Sequence, residues 1–367
     1  MQRLRLAVID IKIKKGTRMN NIILNETPVR TSRNFRINNI EINDLKIPEN
    51  IKEFENVEIV KENSIISNEV EFNKLTYGTG KILEDNIREN ANHKLKIVSN
   101  GEQEVVKITY KFDDDNLNLV NYIQIIANSN LDLIIEYISE TEKKCFHNGI
   151  INCVSNDNSK VNISVVNLLN EESQNFEAFE NLVENNSNLN YTIIDLGGKE
   201  SITNYYSNII GQNADNDLKT IYLAGKEELK DINYICETRG EKSNIDIDVQ
   251  GAIMDNAKKN FKGTIDFKKG CKKAKGNENE YCLILSKDAK SIALPMLLCT
   301  EDDVEGNHST ASGKVDNKQL FYIMSRGISY KEAVKMIINA RFNKIIERIK
   351  DEDTKKIVLQ EIDRRLN

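Results

Sequence analysis

The chain has 367 residues, with 51 Lys and Arg against 57 Asp and Glu and a formal charge of −6. That is length enough for a large core, with no basic field to hold nucleic acid or an anionic membrane. Cys145, Cys153, Cys236, Cys271, Cys282 and Cys299 form no CxxC pair, which argues against a zinc site or a disulfide framework and leaves each as a small buried apolar residue in a reducing cytoplasm. The opening MQRLRLAVIDIKIKKGTR starts positive, but Asp10, Lys12 and Lys14 break its apolar part before a signal-peptide core can form. No membrane-spanning segment is expected.

Residues 1–95 read as an irregular N-terminal region in which NKLTYGTGKILEDNIREN is a loop entering a helix. Residues 96–315 then alternate short strands with Asn, Asp, Ser and Gly turns, as in Val106-Lys107-Ile108-Thr109-Tyr110. A small polar turn followed by an alternating strand recurs at Leu131, Val161 and Leu189, with a looser copy at Leu218, at spacings of 28–30 residues. Self-similarity at that period predicts stacked repeats, either a β-helix or a β-sandwich with evenly spaced turns.

Residues 316–367 switch to helical periodicity and read as a helical domain. Asp316-Asn317-Lys318-Gln319 is a capping-box start for a helix carrying Leu320, Phe321, Ile323 and Met324, and Gly327 ends it. Ser329 and Glu332 cap a second helix with Val334, Ile337, Ile338, Arg341, Phe342, Ile345 and Ile349 on one stripe, and a third runs from Asp353. Such helices need a surface, and the plain expectation is that they pack on the end of the repeat and cover its open edge.

Chemistry-bearing residues are few. His93, His147 and His308 belong to no cluster with metal-ligand spacing, and neither a Walker A segment nor a nucleophile elbow occurs. Gly197-Gly198 is a strand-ending turn. His308 stands out: it follows Glu301, Asp302, Asp303 and Glu305 in what reads as a Gly- and Ser-containing loop before a helix, where carboxylates could raise the basicity of a metal-binding imidazole.

The order Glu301-Asp302-Asp303-Val304, His308, Leu320-Phe321-Tyr322, Ser325-Arg326-Gly327-Ile328 resembles the SufB/SufD family of iron–sulfur cluster assembly proteins. Phe261-Lys262-Gly263-Thr264-Ile265 and Leu283-Ile284-Leu285-Ser286 match as well. The likeness starts at Leu24-Asn25-Glu26-Thr27-Pro28-Val29-Arg30-Thr31, soon after Met19, which makes residues 1–18 a candidate upstream extension. The resemblance decides between the two β architectures: it implies a mainly β fold, a right-handed parallel β-helix core with flanking N-terminal and helical regions.

The departures point to the SufD branch. Ala289 stands where SufB carries a candidate cysteine ligand, and Asn307 and Ser309 flank His308 where SufB has glutamates. Gly306 stands where many SufD sequences have Cys, and Cys236 is read as a buried thiol. The implied function is a non-catalytic, cytoplasmic scaffold subunit of the SUF complex, with no catalytic residue of its own. Its partners would be a SufB-like paralogue, a SufC-like ABC ATPase and, indirectly, a cysteine desulfurase system. The implied cofactor is an iron–sulfur cluster, transient at the subunit interface and never held tightly by this chain, because one imidazole does not replace the usual thiolates. His308, with Glu305 as a weaker candidate, would be the metal-binding residue, and Phe321, Tyr322, Arg326 and Gly327 would dock the ATPase. The nearer alternative is a SufB-like homodimeric scaffold. A β-helix acting on polysaccharides is more remote, since the chain has no Trp.

Overall fold

The computed structural model describes residues 22–31, 37–43, 45–49, 51–101 and 103–367. The candidate extension at residues 1–18 lies outside the described residues. A short antiparallel pair, β1 (Ile22–Leu24) and β2 (Ile40–Ile42), comes first. Strands β3 (Val57–Glu62) and β4 (Ile65–Ser67) follow, then helix α1 (Lys81–Asn90), which starts at Gly80 as the loop-to-helix reading expects.

Sixteen strands then build eight turns of a parallel solenoid, two strands to a turn. In chain order the turns are β5 (His93–Ser99) with β6 (Glu104–Phe112), β7 (Asn118–Ala127) with β8 (Leu131–Ser139), β9 (Phe146–Ser155) with β10 (Lys160–Leu168), and β11 (Gln174–Val183) with β12 (Asn188–Asp195). The second half continues with β13 (Glu200–Ile209) and β14 (Asp215–Ala224), β15 (Leu229–Thr238) and β16 (Asn244–Ile253), β17 (Lys258–Phe267) and β18 (Ala274–Ile284), and β19 (Lys290–Cys299) and β20 (Val304–Gly313). Even-numbered strands stack as one nine-stranded sheet ending on β3, and odd-numbered strands as another ending on β4. Both β3 and β4 pair antiparallel, closing the first turn.

The repeat expected from Leu131, Val161 and Leu189 is the register itself, for these three stack as Cα partners. The fourth copy was set two residues too far on: Leu189 pairs with Asn216, and Leu218 stacks on Tyr191. The polar turns recur because one residue in each bends into the left-handed region, Asn158, Asn186 and Asn213 among them, and Asn tolerates that region best after Gly. Stacked side-chain amides support the corner, with Asn128 donating to Asn100 and Asn213 to Asn186.

Residues of one parity in each strand face the lumen and make the main core. Phe179, Tyr191, Tyr205, Tyr234 and Phe261 form a chain of ring contacts along it, with centroids 5.2–6.1 Å apart. Outside, α1 and the β1–β2 pair cover the odd-strand sheet.

Helices α2 (Asn317–Met324), α3 (Tyr330–Ile346) and α4 (Glu352–Arg365) cover the even-strand sheet. The Ser329–Glu332 capping box is present. At α2, Asp316 caps the Lys318 amide and Gly327 ends the turn at φ 85°. The expectation that these helices cover the open edge is corrected. Their apolar stripe, including Ile337, Ile338, Phe342 and Val358, packs on Val166, Ile194, Ile221 and Leu223 along the side of the solenoid. Polar contacts fix them there: Arg365 bonds Glu228 and the Leu196 carbonyl, Arg348 pairs with Asp217 at 2.9 Å, and Lys107 pairs with Asp351 at 2.7 Å. The Arg341 guanidinium lies 3.7 Å from the Tyr281 ring centroid. Sequence spacing specifies an apolar stripe, but not which surface receives it.

Candidate functional site

Among the described residues, the helices' side-on position leaves the last turn uncovered, and β19 and β20 each have one neighbour. Strand β19 is apolar on both faces from Ile292 to Leu298, a composition suited to burial on both sides, yet Ile292 and Leu297 are exposed. Its internal bonds come from even positions, as Lys290 and Thr300 donate to Ala257 and Phe267. In a parallel ladder the amide and carbonyl of one residue point the same way, so Ser291, Ala293, Leu297 and Cys299 present their backbone groups to the free edge. Pro295 falls in that phase and leaves a gap in the row of donors. By the same parity Val304, Gly306, His308, Thr310 and Ser312 carry the free edge of β20, because odd residues of β18 donate toward β16.

The structure moves His308 out of the expected loop and into β20, in register with Glu278 of β18. It shares the inward row with Gly306, where an added Cβ would meet Leu297 and Phe267. His308 is nevertheless exposed, because no further turn lies above it. The loop expectation failed because Gly and Ser signal turns in isolation, while the ladder from β18 holds this stretch straight. Glu301, Asp302 and Asp303 do occupy the β19–β20 turn. Glu305, three positions from His308, projects to the opposite side and pairs with Lys275 at 3.0 Å. The two candidate ligands are therefore not brought together.

Phe321, Tyr322, Arg326 and Gly327 form a separate exposed patch on and after α2. Phe321 is 76% exposed, and the Arg326 guanidinium stacks 3.8 Å from the Tyr322 ring centroid. One cysteine departs from the expectation: Cys299 is exposed at the end of β19, while the other five are buried.

Under His308 lies a set of buried charges that sequence reasoning missed. Lys259 pairs with Glu280 at 2.8 Å, both fully buried, and the Tyr222 hydroxyl donates to Glu280 at 2.9 Å. Gly251 leaves room for that tyrosine, since a Cβ there would sit 1.9 Å from its ring. Glu278 is also fully buried, yet neither of its oxygens has a hydrogen-bond partner among the described residues. Burial first, and then the neighbouring Glu280, push its carboxyl up to about 8. The available signal was the phase of Glu278, Glu280 and Cys282, which continues that of Ala274 and Gly276. Two carboxylates in a core phase look like a solvent face until the register is known.

No group of three or more His, Cys, Asp or Glu able to hold a metal ion occurs among the described residues. A groove of about 650 Å³ lies between α4 and strands β3, β6, β8 and β10. Several of its charges are paired, Lys350 with Asp132 and Lys111 with Glu58 among them. None of the helices among the described residues is long and apolar enough to cross a membrane.

Fold and end strand together define a parallel β-solenoid protein with one uncovered end and a side-mounted helical domain. The family model for the SUF system FeS cluster assembly SufBD core domain matches residues 111–341, and the chain belongs to that family. It is 26% identical over 265 residues to the iron–sulfur cluster assembly protein SufD of Bacillus subtilis, covering 71% of this chain and 61% of that protein. It is 29% identical over 171 residues to SufD of Escherichia coli, covering 47% and 40%. A SufBD family protein of Staphylococcus saprophyticus is 26% identical over 194 residues, covering 52% and 41%. The chain thus spans less than two thirds of the length of these relatives. The two relatives named SufD agree with the branch expected from Ala289, Asn307 and Ser309.

Proposed function

We propose that this chain is a SufD-like scaffold subunit of a cytoplasmic SUF assembly, pairing with a SufB-like subunit through its uncovered end. The observation that carries the reading is β19, apolar on both faces and open along one edge, beside a strand that presents His308. Such an edge is a template for another chain. The iron–sulfur cluster is cargo at that junction, where His308 offers one imidazole and the partner supplies the thiolates that hold iron. Glu305, held by Lys275 on the other side, is left as a surface charge. The α2 patch of Phe321, Tyr322 and Arg326, ended by Gly327, is the proposed seat of the SufC-like ATPase. That enzyme hydrolyses ATP while this chain transmits the motion through α3, and a cysteine desulfurase system feeds sulfur from outside.

Co-expression with a SufB-like protein and the ATPase, followed by light scattering on an anaerobic sizing column, is the test. One copy of this chain, one SufB-like chain and two ATPases are expected. His308→Ala should leave that assembly intact and lower its cluster yield. A chain that runs as a homodimer and ignores both proteins would overturn the pairing, and an unchanged yield would remove His308 from the site.

A further inference from the structure

We propose that Glu278 is a second protein ligand for ferrous iron at the open end, holding the ion together with His308. The inference rests on the reading of His308 given above and extends it to a residue one turn deeper. Glu278 and His308 are Cα partners on adjacent parallel strands, which puts their backbones about 4.8 Å apart, with both side chains on the inward row. An imidazole and a carboxylate so placed can share one ion.

Three observations single Glu278 out. Both its oxygens lack a partner among the described residues although the residue is fully buried, and a buried polar group left unpaired calls for an explanation. Its neighbour Glu280, in the same row, is satisfied by Lys259 and Tyr222. The carboxyl also has its own space: a Cβ on Gly263 would lie 2.0 Å from Oε1 of Glu278. No cation among the described residues is paired with it, because Lys259 serves Glu280 and Lys262 serves Asp231 on the outer face. Imidazole with carboxylate is a donor set suited to ferrous iron, and two protein ligands leave positions open for sulfide and for a partner's side chains. Glu305 cannot take this role from the opposite side of the strand.

The full chain, carrying ¹³C-labelled histidine rings, would be titrated anaerobically with ferrous iron alone and followed by NMR. Among His93, His147 and His308, only His308 is exposed, so its resonance should broaden first. Glu278→Gln should raise the iron concentration at half-broadening at least tenfold, while Glu305→Gln should leave it unchanged. An unchanged midpoint in Glu278→Gln overturns this inference and leaves His308 as a single ligand. Absence of broadening at His308 in the unsubstituted chain overturns both. Thermal unfolding separates a structural role: Glu278→Gln should melt no lower than the parent chain, because an amide replaces an unpaired carboxyl. A lower Tm would mark Glu278 as a packing residue and overturn the inference.

Discussion

Individual lumenal residues carry more charge than a β core usually tolerates, and each is accommodated differently. Glu177 accepts a hydrogen bond from the Tyr137 hydroxyl at 3.1 Å and lies 3.9 Å from His147. Burial, opposed by that hydrogen bond and helped by Asp195, pushes its carboxyl up to about 8. A carboxyl raised above its unfolded value holds its proton in the native state. Its stabilisation is complete below about pH 4.3 and is lost as pH rises toward 8. Glu177→Gln has no proton to lose, so between pH 5 and pH 8 it should gain on the parent chain by a few kcal/mol, at about 1.4 kcal/mol per unit. Chemical denaturation at the two pH values measures the difference, and His147, common to both proteins, cancels in the comparison. An equal change in the two proteins would show Glu177 ionised in the fold.

At the scale of elements, what could be read in advance depended on whether the information was local. The cap at Asp316, which forms to the Lys318 amide but not as the expected capping box, the box at Ser329 and the loop into α1 all involve neighbours within four residues. The β-turn beat was legible because Asn recurs where the corner needs a left-handed residue. The position of His308, the phase of Glu278 and the surface taken by α3 depend on contacts with residues far away in sequence, which no local pattern encodes. The free edge of β20 belongs to this second kind and can be tested directly. The Thr310 amide points away from β18, so Thr310→Pro removes a donor that no internal bond uses, as Pro295 already does on β19. The substitution should cost little in Tm and should abolish pairing with a SufB-like partner on the sizing column. Full pairing by Thr310→Pro would show that β20 takes no part in the junction.

The whole molecule is a stack whose turns contact mainly their immediate neighbours, the usual logic of repeat proteins. Its two ends are finished differently. At the start, β3 and β4 fold back antiparallel, and β3 exposes Glu58, Lys61 and Glu62 beside Ile59 and Val60, and charges of that kind deter strand pairing. At the other end neither strand is covered by the described residues, and the helical domain that could have capped it is fixed along the side by Arg365, Arg348 and Lys107. The proposed pairing through one end sets a stoichiometry. A rod that can be joined at one end makes a pair and nothing longer, because joining uses up the single site each rod has. Raising the concentration of this chain and its partner together should therefore saturate at two solenoids per particle, with no growth into fibres, and light scattering across a hundredfold concentration range would show the plateau.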